Sequence, residues 1–527
     1  MKNPKKKKIN IPKWIPAVLM IVVPLLMAGL VACFYGIKNG ILPIPGLKWN
    51  DEAAYYQLIK TCITTGQPVG YWGFNGNHAI VGTGSAWSPA IIWPYAVFAY
   101  IFPLSKGFVF FVNLFYITLA NVIFYFCVKP NKRQCLRLAL AQATSAVFIV
   151  YLSVNMSEMF RYALAIVIAG LLYKILFRES SKAVKYVVTP LVIIGAAQVY
   201  VFFAFCVPVY IFAIMKNKKL WQKLLVSAAA IGAVAFGSYY LLHLISSNYN
   251  IHKTEALLTA VKEMDILGAI MAFLRMMKQG AGDVFRLWTY VYSNPLIPFH
   301  VLFSIALILA SLGILIAFLR KRKKGAAWTK EATIAVIVTY SVSLFYWMYM
   351  TLYSIDPFTF MRGTYIVVIF SMYLLAMTEN RWIYRGILLL QAVSLFFLPV
   401  NMDYYMTGHY MSAEVYEEWD ELEEQVGAAI GVKPELGPWE NTVAMYTMEP
   451  KAICAMPAGI GVNFIMEDGI LPEEAEYLFF STVPAAQQSS EWIVRDYETF
   501  YATYGETLEN DYNVIYQDDN YIIYCKK

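Results

Sequence analysis

Residues 14–37, WIPAVLMIVVPLLMAGLVACFYGI, form an apolar run that follows five lysines within the first eight residues. About 20 apolar residues cross the hydrocarbon core of a bilayer, so this run predicts a transmembrane helix. No small-residue cleavage site follows it, and we interpret the run as an uncleaved first helix rather than a secretory signal. Because basic residues favour the cytoplasmic side of a membrane, the N-terminus is expected inside the cell.

The composition extends this apolar character over most of the chain. Of 527 residues, 59% are hydrophobic and 15% are charged, whereas soluble domains have about 45–50% apolar and 25% charged residues. This difference excludes a soluble enzyme, a disordered protein and a nucleic-acid-binding protein. The length of the apolar runs predicts an α-helical polytopic membrane protein with about 10–12 membrane segments.

Charge divides the chain into two parts. Residues 401–527 contain 24 acidic and 5 basic residues, whereas residues 1–400 carry a net charge of +26. Basic clusters in the first part mark cytoplasmic loops, and the last helix, about Leu388–Val400, then exits outward. We therefore predict a transmembrane module at 1–400, with an extracellular first loop at 38–86, and an acidic extracellular α/β domain at 401–527.

Two apolar segments do not fit as complete spans. Trp87–Leu104 contains three prolines, and a full span there would place the basic Lys129–Arg137 loop outside. Val187–Met215 lies between basic clusters, and its 29 residues are too few for two spans and too many for one. We predict a kinked or incompletely inserted segment in the first case. In the second case we predict a re-entrant pair of short helices that is broken near Gln198.

The segments after residue 401 predict α/β structure. Ser412 is placed to cap an acidic helix at Ala413–Val426. Strands are predicted at Thr442–Thr447, Ala452–Met456, Gly461–Ile465 and Tyr477–Ser481, and a hairpin is predicted at Asn513–Cys525. Cys454 and Cys525 both fall in predicted extracellular strands, so a disulfide between them stays open.

The predicted first loop contains the sequence WNDEAAYY at residues 49–56. Asn50 is a favourable N-cap, and Asp51 and Glu52 then fall in the first turn of a helix, where carboxylates complement the helix dipole. A carboxylate held at the membrane surface can alternatively act as a general base. Adjacent helical residues point about 100° apart, so we expect only one of the two carboxylates to face a substrate.

Two more charged motifs lie at predicted outward-facing turns. Glu158 and Arg161 are three residues apart in SEMFR at 157–161 and share one helix face. Arg362 follows DPFTFM at 356–361 and opens a late helix. The first motif fits an interfacial ion pair, and the second fits a side chain that snorkels to the lipid head groups. Both also fit an anion site, since guanidinium groups bind phosphate oxygens in bidentate fashion.

This arrangement resembles the GT-C glycosyltransferases, polytopic enzymes that take sugars from polyprenyl-phosphate carriers. Protein O-mannosyltransferases and aminoarabinose transferases are examples. In that superfamily an Asp of the first loop is the proposed catalytic residue, and the resemblance maps it onto Asp51, with Glu52 beside it. A His-Pro-Pro-type motif often opens the next segment, and its counterpart here is His78 followed by SAWSP at 85–89.

The resemblance also assigns the other charged residues. It implies that Arg161 and Arg362 bind the carrier phosphate, that His78 lies near it, and that Glu158 orients Arg161 or assists the base. Asp51 would accept the proton of an acceptor hydroxyl, and direct attack on the anomeric carbon would invert it.

The implied function is transfer of a sugar from a polyprenyl-phosphate donor to an extracellular acceptor, which is a cell-envelope glycan, a lipid or a protein. A lipid-linked donor suits a site outside the cell, where nucleotide sugars are absent. The expected partners are the donor, the acceptor and the lipid bilayer of the plasma membrane, with no nucleic acid. The seven cysteines show no metal-ligand spacing, so no metal-binding residue is predicted. The cofactor stays open, a divalent cation included.

Three other functions stay open from the sequence. A transporter or flippase of a lipid-linked saccharide predicts internal repeats and charges deep inside helices, whereas the notable charges here cluster at one predicted boundary. A polysaccharide polymerase or ligase shares the lipid-linked substrate but usually carries its key residues in a long late loop. A sensor whose acidic domain binds a partner is the third alternative.

The predicted topology is tested by labelling a Ser490→Cys variant with a membrane-impermeant thiol reagent. Because the acidic residues after 401 are expected outside the cell, intact cells should label at this position as strongly as lysed cells. The wild-type chain, treated in the same way, gives the background from its own cysteines. Labelling at position 490 that appears only after lysis would contradict the topology.

Overall fold

The computed structural model describes residues 12, 14–39, 44–66, 71–74, 89–245, 252–322, 327–352, 357–399, 409–410, 412–431, 442–465, 475–484 and 497–527. The helices there are α1 (Trp14–Asn39), α2 (Asn50–Thr65), α3 (Pro89–Ala99), α4 (Phe108–Val128), α5 (Lys132–Ala143), α6 (Ala146–Leu152), α7 (Glu158–Phe177), α8 (Thr189–Val199), α9 (Cys206–Ile214), α10 (Leu220–Ile245), α11 (His252–Lys262), α12 (Ile266–Arg286), α13 (Leu296–Arg322), α14 (Lys330–Leu352), α15 (Pro357–Ala376), α16 (Arg381–Val393), α17 (Ala413–Ala429), α18 (Pro450–Ala455) and α19 (Tyr497–Asp511). The strands are β1 (Tyr71–Phe74), β2 (Thr442–Met445), β3 (Gly461–Phe464), β4 (Tyr477–Ser481), β5 (Tyr512–Gln517) and β6 (Tyr521–Lys526).

Seven helices in the described part of the chain contain a stretch long and apolar enough to cross a membrane: α1, α4, α7, α10, α13, α14 and α15. The helices α5 and α6 qualify together but are bent by 70°, as in a broken span or a re-entrant loop. Shorter apolar helices lie at Ala90–Ala99, Val184–Val199 and Val201–Ile214. The predicted α-helical polytopic membrane fold with a C-terminal sheet is confirmed.

The two segments predicted to be incomplete spans are short helices in the structure. The helix α3 has only 11 residues and contains Pro94. The helix α8 ends at Val199, and Tyr200 then adopts an extended backbone with φ −156° and ψ 109° before a 3-10 turn leads into α9. The break therefore lies two residues beyond the predicted position at Gln198.

The last predicted helix begins earlier than expected. Asn380 caps α16, because its side chain accepts a hydrogen bond from the backbone N–H of Ile383 at 3.1 Å. The basic residues Arg381 and Arg385, which the sequence analysis placed before the helix, are therefore part of it.

Polar contacts join the helices inside the bundle. Tyr373 on α15 donates a hydrogen bond to Asn121 on α4, and Asn121 Nδ2 donates to Gln142 Oε1 on α5 at 3.0 Å. Gly170 on α7 lies against Phe124, since a Cβ at that glycine would be 3.2 Å from two Phe124 atoms. Small residues and polar pairs are typical of helix contacts in lipid, where hydrophobic association between helices is absent.

One six-stranded sheet joins distant parts of the sequence. Its strand order is β1-β3-β2-β4-β6-β5, and the first four strands are parallel. The hairpin β5–β6 is antiparallel, and β6 pairs with β4. Because β1 comes from residues 71–74, the region predicted as the first loop and the C-terminal region share this sheet.

The predicted strands agree with the structure at every place but one. Residues Ala452–Met456 were predicted as a strand, but Pro450–Ala455 form the helix α18. Pro450 stands at the first helical position, where its fixed φ favours helix initiation. Cys454 is a buried free thiol on this helix, so the disulfide with Cys525 is not formed. Burial raises the pKa of the Cys454 thiol to about 12.

The helix α2 is held against the C-terminal region. Gln57 Nε2 donates to the carbonyl of Met456 at 2.9 Å. Lys60 Nζ lies 2.7 Å from Glu423 Oε1 on α17, and the buried Lys106 also pairs with Glu423. Burial alone would raise the pKa of Glu423, but the two lysines hold it below its usual value. These contacts fix α2 between the helix bundle and the sheet.

Candidate functional site

The site lies where the first turns of α2, α7 and α15 converge. The chain enters α2 from Trp49, which has an extended backbone with ψ 148°, so Trp49 is the N-cap and the predicted cap at Asn50 is wrong by one residue. Asn50 Oδ1 instead accepts from the backbone N–H of Asp51 at 2.9 Å. Asp51 and Glu52 occupy the first turn, as predicted.

Asp51 and Arg362 form an ion pair between α2 and α15. The Asp51 Oδ2 and Arg362 Nη1 atoms are 2.7 Å apart, and the two side chains are 23% and 21% exposed. The Arg362 carbonyl accepts a hydrogen bond from the Tyr162 hydroxyl on α7 at 2.9 Å. The pair is thus anchored to the bundle and still accessible from outside the protein.

Glu158 and Arg161 extend this pair into a chain of alternating charges. Glu158 Oε1 lies 3.3 Å from Arg161 Nη1 and 3.7 Å from Arg362 Nε. The order of charges is Asp51, Arg362, Glu158 and Arg161. Two carboxylates therefore balance two guanidinium groups, and the cluster is formally neutral.

Several buried atoms of this cluster have no hydrogen-bond partner among the residues that the structure describes. They are Glu158 Oε2, Arg161 Nε and the Ser157 hydroxyl. Glu158 is only 1% exposed and Arg161 9%. Buried polar groups in proteins are nearly always paired, so these atoms are candidates to contact a ligand or bound water.

Aromatic side chains form the wall of the cluster. The Arg161 guanidinium carbon lies 4.8 Å from the centre of the Tyr200 ring. Tyr55 on α2 is buried beside the charges, and burial raises the pKa of its hydroxyl above the ordinary value. Tyr55 therefore stays a neutral hydroxyl at any physiological pH.

Glu52 lies one residue from Asp51 but faces the protein interior and is fully buried. Its Oε2 accepts hydrogen bonds from the backbone N–H groups of Lys48 and Trp49, both at 2.9 Å, and lies 2.8 Å from His409 Nε2. Its Oε1 accepts from the backbone N–H of Asn155 at 2.7 Å. The expectation that only one of the two carboxylates faces the site agrees with this geometry, and that carboxylate is Asp51.

Asn155 extends these contacts to the bundle. Its Nδ2 donates to the carbonyls of Pro45 and Gly46, both at 2.9 Å, and its Oδ1 accepts from the backbone N–H of Phe110 at 2.9 Å. The segment before α2, the first turn of α4 and the turn before α7 are therefore tied together around Glu52.

Sequence analysis missed three residues of this region. Asn155 lies in a predicted outward turn and Tyr200 lies in a predicted apolar segment, but neither was assigned a role. His409 was not identified as a candidate. His409 is one of only five histidines in the chain, and that rarity was the one available signal. His78 and Asp356 lie outside the described residues.

The described carboxylates, histidines and cysteines do not form a metal site. Among the described residues, no group of three or more His, Cys, Asp or Glu side chains is placed to hold a metal ion. Asp51 and Glu158 each contact an arginine instead.

Comparisons with known proteins give structural neighbours only. No protein-family model and no curated protein sequence matches the chain. The fold is similar to that of ArnT from Cupriavidus metallidurans bound to undecaprenyl phosphate, with a TM-score of 0.48 and 10% identity over 96% of this chain and 97% of that chain. It is also similar to the archaeal oligosaccharyltransferase AglB from Archaeoglobus fulgidus in complex with an inhibitory peptide and a dolichol-phosphate. That similarity has a TM-score of 0.46 and 13% identity over 89% of this chain and 70% of that chain.

The environment of Glu52 predicts a large stability loss in Glu52→Gln. An amide NH₂ cannot accept the hydrogen bonds of the facing N–H groups, and each buried donor left without an acceptor costs about 1–3 kcal/mol. Thermal unfolding of the purified protein in detergent should therefore show a clearly lowered midpoint. Asp51→Asn is the matched control and should lower the midpoint less, since Asp51 is 23% exposed and Arg362 still faces Glu158 after the change. Equal midpoints for wild type and Glu52→Gln would refute this role for Glu52.

Proposed function

We propose that this chain is a membrane glycosyltransferase that moves a sugar from a polyprenyl-phosphate carrier to an extracellular acceptor. The acceptor is a cell-envelope glycan, a lipid or a protein. The observation that carries the proposal is the accessible Asp51–Arg362 pair, 2.7 Å apart, at the meeting point of α2 and α15. It combines a carboxylate that can accept a proton with a guanidinium that can bind a phosphate.

The carrier phosphate is assigned to Arg362 and Arg161. The Arg362 side chain is 21% exposed, and its fork of N–H donors matches phosphate oxygens. Arg161 lies deeper and shares Glu158 with Arg362. Adding a phosphate to a formally neutral cluster gives the two arginines a new anionic partner. Glu158 keeps their guanidinium groups oriented in this arrangement.

Donor binding and base activation are coupled in this proposal. In the unliganded protein Arg362 is paired with Asp51, so Asp51 already has a counter-ion. When the phosphate replaces Asp51 as the partner of Arg362, Asp51 is released towards the acceptor hydroxyl. A carboxylate that has lost its ion pair is a better proton acceptor, because the charged form is stabilised less.

The transfer step follows from these positions. Asp51 accepts the proton of the acceptor hydroxyl while that oxygen attacks the anomeric carbon. The bond between this carbon and the phosphate oxygen breaks, and the carrier phosphate leaves with the electron pair. Arg362 and Arg161 balance the negative charge that develops on the leaving group. A single direct displacement inverts the anomeric centre.

The proposed base is tested by Asp51→Asn, which keeps the size and hydrogen-bonding ability of the side chain. Transfer of radiolabelled sugar from an undecaprenyl-phosphate donor should fall roughly 10²-fold or more, because general-base catalysis is worth about 10²–10⁴-fold. Glu414→Gln is the matched control, since Glu414 is an exposed acid in the first turn of α17. Full turnover by folded Asp51→Asn would exclude Asp51 as the base.

A further inference from the structure

Tyr200 is placed at the site by the break between α8 and α9. Its extended backbone, with φ −156° and ψ 109°, interrupts the helix, and a 3-10 turn follows at Val201–Phe205. In an unbroken helix, the direction of the side chain at position 200 would be set by the regular rotation from the residue before it. The interruption instead directs the half-buried Tyr200 towards α7 and α15, the helices that carry the two arginines.

On the α7 side, the Tyr200 ring lies over Arg161. The guanidinium carbon is 4.8 Å from the ring centre, within the range of a cation–π contact. The Arg161 guanidinium also pairs with Glu158, and Arg161 Nη1 lies 3.3 Å from Glu158 Oε1. The carboxylate fixes one end of the guanidinium, and the ring fixes the tilt of its plane.

On the α15 side, the Tyr200 hydroxyl lies against Gly363, the residue after Arg362. A Cβ at Gly363 would be 2.8 Å from the Tyr200 hydroxyl and 2.8 Å from Tyr349 Cε2. Only a residue without a side chain leaves this space, so Tyr200 and Tyr349 both reach the backbone of α15. The ring of Tyr200 therefore spans the gap between the backbone of α15 and the guanidinium of Arg161.

We propose that Tyr200 is a positioning residue for the carrier phosphate, because it sets the orientation of the Arg161 guanidinium relative to Arg362 across the gap between α7 and α15. This inference rests on the proposed function and deepens it. The broken helix pair thereby gains a role, since an unbroken helix would not present this ring to both arginine-bearing helices.

A purely space-filling aromatic residue would behave differently. Phe202, two residues on, packs with Tyr200 at 4.9 Å and with Tyr349 at 5.1 Å between ring centres. It supplies the hydrophobic packing of the break. Removal of the Tyr200 ring should therefore act on phosphate binding through Arg161 rather than on the fold.

The test measures the binding of undecaprenyl phosphate to the full-length protein by native mass spectrometry. Tyr200→Leu should bind roughly tenfold more weakly, since a tenfold change is about 1.4 kcal/mol and lies within the range of about 0.5–2 kcal/mol for a cation–π contact. Tyr200→Phe keeps the ring and should stay within about threefold of wild type. Tyr186→Leu is the matched control, since Tyr186 also lies beneath a cation, Lys185, but is exposed and lies near the start of the apolar segment Val184–Val199, whereas Tyr200 follows its end.

A double variant separates positioning from packing. If Tyr200 acts through Arg161, Tyr200→Leu combined with Arg161→Ala should bind no more weakly than Arg161→Ala alone. Losses that multiply would overturn the inference, as would a loss in Tyr200→Phe equal to that in Tyr200→Leu. Unchanged binding in Tyr200→Leu, beside clear losses in Arg161→Ala and Arg362→Ala, would overturn it and leave the proposed function standing. A wild-type protein that does not bind undecaprenyl phosphate would overturn both.

Discussion

The hydrogen bonds to the buried carboxylate of Glu52 are the constraint on which the site depends. An ionised carboxylate away from water must be fully paired, and this one receives donors from three separate segments of the chain. These bonds fix the first turn of α2 against the turn before α7 and against His409. Once that turn is fixed, the position of the preceding residue, Asp51, is fixed as well, and its side chain pairs with Arg362.

The same logic organises the remaining charges. Asp51, Arg362, Glu158 and Arg161 alternate in sign, so each charge has an opposite neighbour within 4 Å. Such a cluster is tolerated at the end of a membrane bundle because its formal charge is zero. Its edge is accessible, whereas its interior holds polar atoms that find no partner within the described part of the chain. An anion that enters at the accessible edge therefore changes the partner of Arg362 first, and under the proposed function that change frees the base.

The sequence predicted the features that depend on local chemistry. Apolar length and basic clusters predicted the helical membrane fold, and helix periodicity predicted that Asp51 and Glu52 point in different directions. It failed where distant segments decide the outcome. The pairing of β1 with β3, and the contact of Glu52 with His409, join residues more than 350 positions apart. The sequence predicts a strand at Cys454 because a short apolar run fits a strand as well as a helix. The structure has a helix there, and Pro450 begins it. Tyr200 was missed because the position of a helix break is uncertain by two or more residues.

The central claim is that a carrier phosphate replaces Asp51 as the partner of Arg362. The most direct measurement is an experimental structure of the wild-type protein in lipid nanodiscs with undecaprenyl phosphate bound. Phosphate oxygens are expected within about 3 Å of the Arg362 guanidinium. The Asp51 carboxylate is expected to be no longer paired with Arg362. A bound phosphate that lies elsewhere, with the Asp51–Arg362 pair intact, would contradict the account.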